Sequence, residues 1–400
     1  MRKIAFVTPW YGQIPGGMES LTRTTAEKLT AAGWPVEILT TCIKDFYADW
    51  GTNYHQPSLR HENGVAVRRF PVQQRDKATF DALNQRLMLG MSLNTAEQQT
   101  FINELFRAPD LYAYMAKNQA DYWFICTPYM FPTAYFGGLI APQRTLHIPC
   151  LHDESYAHLD LYREPLTKAQ GLLFLSHAEA ALAKQLFGTP TGQWRGVVGM
   201  GVETDFTADT TQFRAKYRLG DTPFLLYAGR REAGKNVPLL LEYWGRYQKE
   251  GRGRGRKLVL IGSGAVSIPP LTAAHVLDLG FVPLADKYNA YAAATATCQP
   301  SLHESFSIVI MESWLAGRPV MVHGQCAVTR EHALSANGGL YFTNYEEFAA
   351  TADFFFSQPA VADEMGANGR AYVHTHFAWD VVLAKYEALF HQLGLEKSLK

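Results

Sequence analysis

Two glutamates separated by a hydroxyl-rich turn are the residues whose types and spacing most clearly suggest chemistry. Glu304-Ser305-Phe306-Ser307 precedes an apolar helical stretch, and Glu312 follows Glu304 after seven intervening residues. On a helix that begins at Glu304, the carboxylates would lie roughly 12 Å apart along the axis, whereas a glycosidase pair is separated by roughly 5–9.5 Å. The spacing predicts that they grip two parts of one elongated ligand, with the N–H groups of Ser305, Phe306 and Ser307 pointing at a phosphate. The alternative is a pair of solvent-exposed glutamates.

A basic, glycine-rich segment follows a predicted strand and precedes a predicted helix. Residues 229–235 match the GxxxxGK spacing of a P-loop, but Asn236 stands where that loop needs Ser or Thr to hold Mg²⁺. We therefore predict that Arg230 and Lys235 neutralise a diphosphate directly, without a metal. Surface charges at a strand end are the alternative. Gly262-Ser263-Gly264 begins a dinucleotide-type motif, but its third glycine is missing.

A second glycine-rich turn joins the first predicted strand to the first predicted helix. Residues 12–17 read Gly-Gln-Ile-Pro-Gly-Gly, with Gly16 and Gly17 at the expected helix start. Such a turn lets backbone N–H groups approach a phosphate at the positively polarised end of the helix. A plain βα turn explains the segment equally well.

His152 is the best catalytic candidate of the N-terminal half. His152-Asp153-Glu154 follows a predicted strand, and histidine handles protons or orients hydroxyls near neutral pH. A structural histidine at a strand end is the alternative. No metal-ligand spacing that we can defend includes the nearby histidines, which are His147, His158 and His177. The chain also lacks an Asp-x-Asp motif, so we predict no metal site.

The elements that must position these residues form two α/β series. The predicted strands of the first series are residues 4–7, 36–40, 122–126, 145–149 and 172–175, with a helix between the first two strands. The predicted strands of the second series are the apolar runs at residues 224–228, 258–261, 281–282, 297–299 and 320–322. This pattern predicts two Rossmann-like doubly wound parallel sheets. Their carboxyl ends are the expected ligand-binding edges, facing a cleft between domains. The predicted domains are 1–200, 201–376 and a final helical segment, 377–400.

Composition and charge exclude several classes of protein. Lys plus Arg and Asp plus Glu each number 37 in 400 residues, which argues against a nucleic-acid partner because that needs a basic face. The five cysteines form no CxxC pair, as expected in a reducing compartment. Residues 122–142 are uncharged, but Pro128, Pro132 and adjacent glycines interrupt them. We interpret this segment as a buried strand, a turn and a short helix rather than a membrane span.

These motifs together resemble the retaining glycosyltransferases of family 4, which have the two-Rossmann GT-B architecture. The resemblance covers nearly the whole chain, and its most specific part is the two-glutamate motif. Ser305 and Ser307 stand where the family commonly has glycine, and Met200 stands where it usually has asparagine. The segments that carry the resemblance are Gly16-Gly17-Met18-Glu19, His152-Asp153, Val198–Glu203, Gly229-Arg230 with Lys235, Glu304–Glu312 and Phe377–Asp380.

The resemblance implies roles for individual residues. Arg230 and Lys235 would bind the donor diphosphate, with residues 305–307 beside the phosphates. Glu304 would contact the donor sugar as a catalytic residue, and Glu312 would hold the ribose hydroxyls. Phe281 and Val282 would lie near the base. Gly16 and Gly17 would lie near the phosphates, and His152 would lie beside the reacting sugar. The family retains anomeric configuration and does not generally require a metal, so no cofactor is expected.

The expected substrates are a nucleotide-diphosphate sugar, with UDP and GDP both open, and a glycan or lipid-linked glycan acceptor bound by the N-terminal domain. Acceptor contacts are expected within residues 44–120. We expect a cytoplasmic protein of cell-surface polysaccharide synthesis, with peripheral membrane contact left open. An epimerase or phosphorylase of the same architecture and a catalytically silent sugar-nucleotide-binding module are the competing hypotheses.

Overall fold

The chain folds into two compact units. The computed structural model describes residues 2–205 and 207–397. The first unit extends to Gly201 and resumes at Trp379, and the second runs from Val202 to Ala378. From the sequence, the boundaries were expected after residues 200 and 376.

The first unit is built on a mostly parallel sheet. Its strands are β1 (Lys3–Val7), β2 (Val36–Thr41), β3 (Ser58–Glu62), β4 (Val65–Phe70), β5 (Tyr122–Cys126), β6 (Thr145–His147), β7 (Gly171–Phe174) and β8 (Trp194–Val197). They are ordered β3-β4-β2-β1-β5-β6-β7-β8, and β3 is antiparallel to β4. Because the chain winds outward from β1 in both directions, the loops after β1 and β5 diverge there and leave a crevice at the carboxyl edge.

Helices separate these strands, as parallel pairing requires. They are α1 (Gly17–Ala31), α2 (Lys77–Met88), α3 (Thr95–Leu105), α4 (Pro109–Asn118), α5 (Pro132–Ile140), α6 (Arg163–Lys168) and α7 (His177–Phe187). Local sequence sets several helix starts. Asn94 and Glu97 form a capping box before α3, and the Ser176 side chain caps α7.

The second unit has its own parallel sheet. Its strands are β9 (Phe224–Ala228), β10 (Lys257–Ile261), β11 (Val276–Gly280), β12 (Ala296–Gln299), β13 (Val320–His323) and β14 (Gly339–Phe342). The order β11-β10-β9-β12-β13-β14 is that of a dinucleotide-binding Rossmann sheet, so the switch in winding direction lies between β9 and β12.

The helices of the second unit flank this sheet. They are α8 (Thr210–Lys216), α9 (Val237–Lys249), α10 (Pro270–Ala273), α11 (Leu284–Ala293), α12 (Ile308–Leu315), α13 (Ala327–Ser335), α14 (Tyr345–Ser357) and α15 (Pro359–Phe377). The chain then returns to the first unit as α16 (Trp379–Gln392). There the Phe390 ring packs edge-on against Trp34, with ring centroids 5.0 Å apart.

The fold prediction is confirmed: both units are doubly wound, Rossmann-like parallel-sheet domains. The uncharged segment at 122–142 is β5 followed by α5, as predicted. Among the described residues, no helix is both long and apolar enough to cross a membrane.

One predicted strand was wrong. Phe281 and Val282 do not form a strand, because β11 ends at Gly280. Between β4 and β5, the helices α2 and α3 are joined by a turn that contains Gly90. Gly90 has a positive φ of 74°, a conformation that interrupts a right-handed helix.

Candidate functional site

The switch point of the second sheet brings together two loops that carry predicted site residues. One loop follows β9 and contains Arg230 and Lys235, and the other follows β12 and contains Glu304. The Leu302 N–H donates to the Gly234 carbonyl at 3.0 Å, which ties the loops together. The sheet topology therefore places Lys235 against Glu304, which are distant in sequence.

Lys235 and Glu304 form a largely buried ion pair. The Lys235 Nζ lies 2.7 Å from Glu304 Oε1, and the Glu304 side chain is only 9% exposed. Gln299 Nε2 donates to the same oxygen at 3.0 Å. Burial tends to raise the pKa of Glu304, but the charge of Lys235 and hydrogen bonds from Lys235, Ser301 and Gln299 outweigh it, so the pKa is lowered. Glu304 is therefore a carboxylate at neutral pH.

Glu312 is held by a second cluster, on the face of α12 toward α11. Lys287 Nζ lies 2.5 Å from Glu312 Oε1, and the Tyr291 hydroxyl donates to Oε2 at 2.9 Å. Burial and the charge of Glu312 raise the pKa of Tyr291 well above its usual value, so its hydroxyl remains a donor. Sequence reasoning missed both partners. Their separation by one helical turn on α11 is a signal that could have found them.

The helical start predicted at Glu304 was wrong. Residues 304–307 are not helical, and Ser307 occupies the N-cap position of α12 in a left-handed conformation, with φ 68° and ψ 74° and no side-chain capping hydrogen bond. The estimated rise between the glutamates therefore does not apply. The two carboxylates instead lie in separate clusters, one on a loop and one on a helix.

The three residues that follow Glu304 differ in how deeply they are buried. The Phe306 ring is buried, and its centroid lies 4.9 Å from that of Phe377. The Ser307 Oγ is buried and has no hydrogen-bond partner within the described part of the chain. Ser305 is half-buried. Phe306 therefore fixes the turn through packing, so any ligand contact from it would come from the backbone.

The two arginines after β9 have different surroundings. Arg231 is nearly buried and paired with Asp278, to which its Nη1 donates at 2.8 Å. Arg230 is half-buried, with Nη1 3.3 Å from Glu232, and its carbonyl accepts from the Tyr227 hydroxyl at 2.6 Å. Arg231 is thus a structural residue, whereas Arg230 presents a guanidinium toward solvent.

Phe281 and Val282 follow β11 and have opposite environments. Phe281 is 74% exposed. Val282 is buried in the apolar cluster that contains Ile261 and Ala290. A planar base could therefore stack on the Phe281 ring, but Val282 could offer it only backbone groups.

In the first unit, Gly16 and Gly17 begin α1. Gly16 has φ 153°, and a Cβ there would lie 2.0 Å from the Glu19 carboxylate. That carboxylate is buried and accepts from Trp10 Nε1 at 3.0 Å. Gly17 has nothing within 4 Å of the position of a Cβ. The start of this helix is therefore accessible, as anion binding to its N–H groups would need.

His152 lies on the loop after β6. Its Nδ1 is 3.4 Å from Glu154 Oε1, and its side chain is half-buried. The preceding residue, Leu151, donates its N–H to Glu179 Oε1 at 2.8 Å. Glu179 also accepts the Leu175 N–H at 2.6 Å. This buried glutamate on α7, which sequence reasoning missed, fixes the loop that leads to His152.

Two of the nearby histidines have surroundings of their own. His158 pairs with Asp153 at 2.8 Å. His147 is buried on β6, and burial lowers its pKa to about 3. Across residues 2–205 and 207–397, no group of three or more His, Cys, Asp or Glu side chains could hold a metal ion.

Comparison with known proteins gives the fold of the chain and a family match for part of it. Residues 209–372 match the family model described as Glycosyl transferases group 1. Sucrose-phosphate synthase from Thermosynechococcus elongatus is similar over 98% of this chain and 99% of its own, at 18% identity and a TM-score of 0.69. Anabaena HepE in complex with UDP and glucose covers 98% of this chain and 100% of its own, at 15% identity and a TM-score of 0.68.

The E. coli trehalose-6-phosphate protein bound to UDP-2-fluoro glucose gives a TM-score of 0.72 at 12% identity, over 97% of this chain and 98% of its own. Identities this low support the shared fold alone. The family match covers the two loops after β9 and β12 and both glutamates. The chain therefore shares the fold of these solved structures, and residues 209–372 match the family of group 1 glycosyl transferases.

Proposed function

We propose that this protein is a retaining glycosyltransferase that moves a hexose-type sugar from a UDP- or GDP-sugar to a glycan or lipid-linked glycan acceptor, in the synthesis of a cell-surface polysaccharide. The observation that carries the proposal is the pair of carboxylates in the group 1 domain. Glu304 is held by Lys235, and Glu312 by Lys287 and Tyr291. The neighbouring structures that contain UDP or a UDP-sugar favour UDP-glucose as the first donor to test.

The proposed donor site assigns one part of the substrate to each cluster. Arg230 and Lys235 bind the diphosphate, because an ammonium with three N–H donors retains two after it pairs with Glu304. Glu304 accepts a hydroxyl of the sugar. Glu312, on the next helix, accepts from the ribose hydroxyls. A nucleotide sugar has the elongated shape that two such separate clusters need.

In the proposed reaction, the bond between the anomeric carbon and the diphosphate oxygen breaks, and its electron pair leaves on the diphosphate. The acceptor hydroxyl oxygen bonds to the same carbon as its proton is released. Arg230 and Lys235 stabilise the charge that develops on the leaving group, and the site aligns the reactants. No metal and no covalent nucleophile are assigned. The role of His152 beside the reacting sugar stays a prediction.

Turnover of UDP-glucose by the full chain tests this proposal. NMR would follow the release of UDP and the anomeric configuration of the product, with water or a glycan panel as acceptor and with EDTA present. We expect an α product, and we expect Lys235→Met to lower kcat about a hundredfold, as loss of one preorganised donor does. Lys249→Met, an exposed lysine of the same domain, is the matched control.

Each competing reaction has its own signature in the same assay. Epimerisation of the donor without any acceptor would replace the transferase with an epimerase. Turnover that requires inorganic phosphate would indicate a phosphorylase. Donor binding without turnover across the panel would indicate a silent binding module. A β product or abolition by EDTA would contradict the retaining or the metal-free part of the proposal.

A further inference from the structure

The turn between α2 and α3 exposes three large apolar side chains within four residues. Met88 and Leu89 are each 70% exposed, and Met91 is 51% exposed. Gly90 lies between them, and nothing stands within 4 Å of the position of a Cβ there. Single exposed apolar residues are common on protein surfaces, whereas contiguous apolar patches more often mark interaction sites. Met88, Leu89 and Met91 together are called the apolar tip below.

The hydrophobic core of the first unit does not use the apolar tip. The neighbouring residues Leu87 and Leu93 are the ones that are buried in that core. A turn between two helices is ordinarily polar, because its side chains face water. The three exposed side chains therefore contribute nothing to folding that polar residues at the same positions would not contribute.

Hydrogen bonds hold the turn that carries the apolar tip in one conformation. The Met91 N–H donates to the Arg86 carbonyl at 2.9 Å, and the Arg86 guanidinium donates to the Ser92 carbonyl at 3.0 Å. The same guanidinium pairs at 2.6 Å with Glu97, which completes the capping box of α3. Because the tip is preformed, little conformational entropy is lost when it binds a partner.

The turn carries no charge that could attract a partner. Residues 87–96 contain no Asp, Glu, Lys, Arg or His. The nearest charges along the chain are those of Arg86 and Glu97, and these two side chains are paired with each other. Any attraction at the tip must therefore come from the burial of apolar surface.

A lipid bilayer fits the apolar tip better than another protein does. Each partner of a stable protein–protein interface buries about 800 Å² and about 20–30 residues, which three side chains do not supply. Leu and Met side chains also carry no hydrogen-bond donor that could fix the register of a second chain. A layer of acyl chains requires neither a large area nor a register, and the flexible Met side chain adapts to irregular apolar surroundings.

We propose that the apolar tip inserts into the lipid surface of a membrane. The side chains of Met88, Leu89 and Met91 are buried at the boundary between headgroups and acyl chains, and the Arg86–Glu97 pair at the base of the turn stays in water. The contact is apolar, so its affinity depends little on anionic lipid or on ionic strength. This inference goes beyond the proposed function, because it requires neither a sugar donor nor an acceptor.

Sedimentation of the full chain with phosphatidylcholine vesicles tests the inference. We expect the parent chain to bind. Addition of phosphatidylglycerol, or of NaCl to about 1 M, should change the partition coefficient by less than about twofold. The triple variant Met88→Ser, Leu89→Ser, Met91→Ser should lower it at least about tenfold, since tenfold corresponds to about two buried CH₂ groups. Leu271→Ser, which replaces a side chain of the second unit that is 92% exposed, is the matched control and should bind like the parent.

A fluorescent label shows whether the tip itself enters the bilayer. The five native cysteines are buried, so Met91→Cys adds one accessible thiol at the tip and Leu271→Cys adds one in the second unit. A nitrobenzoxadiazole dye at position 91 should shift its emission to the blue when vesicles are added. The same dye at position 271 should not.

The inference is overturned if the parent chain binds no vesicle, if the triple variant binds as well as the parent, or if binding requires phosphatidylglycerol and is lost in salt. Self-association of the parent that the triple variant lacks, measured by light scattering without lipid, would assign the tip to a second copy and also overturn it. Thermal stabilisation by UDP-glucose, recorded on the same variants, reports the donor site separately, so failure of one proposal does not imply failure of the other.

Discussion

At the residue scale, Ser307 has a backbone conformation that its side chain disfavours. It lies in the left-handed region, with φ 68°, and its buried Oγ has no partner among the residues that the structure describes. Ser305, two positions earlier, is not among the residues of positive φ. Glycine is common at both positions in the family that this sequence resembles. The structure gives a physical reason for glycine at position 307 but none at position 305.

Replacing these two serines by glycine should therefore have opposite effects. A left-handed non-glycine residue costs about 1–2 kcal/mol, and glycine adds an entropic cost of about 0.5–1 kcal/mol. We expect Ser307→Gly to raise the free energy of unfolding by up to about 1.5 kcal/mol. Ser305→Gly should lower it by about 0.5–1 kcal/mol. Melting temperatures of both variants check this, and an equal loss in both would contradict it.

Glu179 is a second residue whose side chain lies in an environment that is unusual for its type. It is a buried carboxyl that joins the loops after β6 and β7 through the N–H groups of Leu151 and Leu175. Burial raises its pKa to about 8, although backbone hydrogen bonds oppose the shift. A polar side chain with this little solvent contact needs hydrogen bonds within the protein to replace those it would make to water.

Removing the Glu179 side chain should destabilise the first unit. Glu179→Ala leaves two buried N–H groups unpaired, at about 1–3 kcal/mol each, so a total of about 2–6 kcal/mol is expected. Glu179→Gln keeps one acceptor oxygen and should cost about half as much. Chemical denaturation measures both values, and an alanine variant as stable as the parent would contradict this account of the loop.

The raised pKa of Glu179 predicts how the stability of the fold changes with pH. Its pKa is raised from 4.5 to about 8, so between these values the folded chain binds more protons than the unfolded chain. Its contribution to stability therefore falls as pH rises through that window. Because Gln does not titrate, the stability lost in Glu179→Gln should be larger near pH 5 than near pH 8. A loss that grows with pH would contradict the raised pKa.

At the element scale, the central strands could be predicted and the edges could not. β5 and β9 were predicted with their observed bounds, because strands buried on both faces are continuous apolar runs. The β3–β4 hairpin was missed. β3 reads Ser-Leu-Arg-His-Glu and is largely exposed, so no hydrophobic pattern marks it. The apolar pair Phe281 and Val282 was wrongly predicted to be a strand. Val282 packs into the hydrophobic core although it lies in a loop, so its apolar side chain does not indicate a strand.

The loops after β9 and β10 show why glycine occurs at the carboxyl edge of the second sheet. Gly262 has φ 126°, and a Cβ there would lie 1.9 Å from the Gly229 carbonyl oxygen. The Gly229 N–H also donates to the Ile261 carbonyl at 3.0 Å. The glycine pattern after β10 thus serves close contact between two loop backbones, a role that a dinucleotide motif does not require.

Gly262→Ala should therefore destabilise the second unit by more than the cost of placing alanine at a positive φ. The control is Gly251→Ala, where φ is also positive, at 78°, but nothing lies within 4 Å of the Cβ position. We expect about 1–2 kcal/mol for the control and at least about 3 kcal/mol for Gly262→Ala, because backbone atoms must shift. Equal melting temperatures for the two variants would contradict the backbone contact.

At the scale of the whole molecule, the sequence singled out individual residues but did not predict how they pair. Arg230, Lys235, Glu304 and Glu312 were identified from their motifs, but the Lys235–Glu304 ion pair depends on β9 and β12 being neighbours in the sheet. Strand order is a property of the complete domain, so local patterns do not contain it. The partners of Glu312 on α11 were missed for the same reason, since two helices must pack before they meet.

The central claim is that the second domain binds a nucleotide sugar through Glu312 and its partners. Thermal unfolding of the full chain with UDP-, GDP-, ADP- and dTDP-sugars tests it most directly. A ligand at a hundred times its Kd stabilises by about 2.7 kcal/mol. We predict that one donor raises the melting temperature, that Glu312→Gln abolishes the rise, and that Glu242→Gln, an exposed residue of α9, preserves it. If no donor stabilises the chain, or if Glu312→Gln is stabilised as much as the parent, the claim is contradicted.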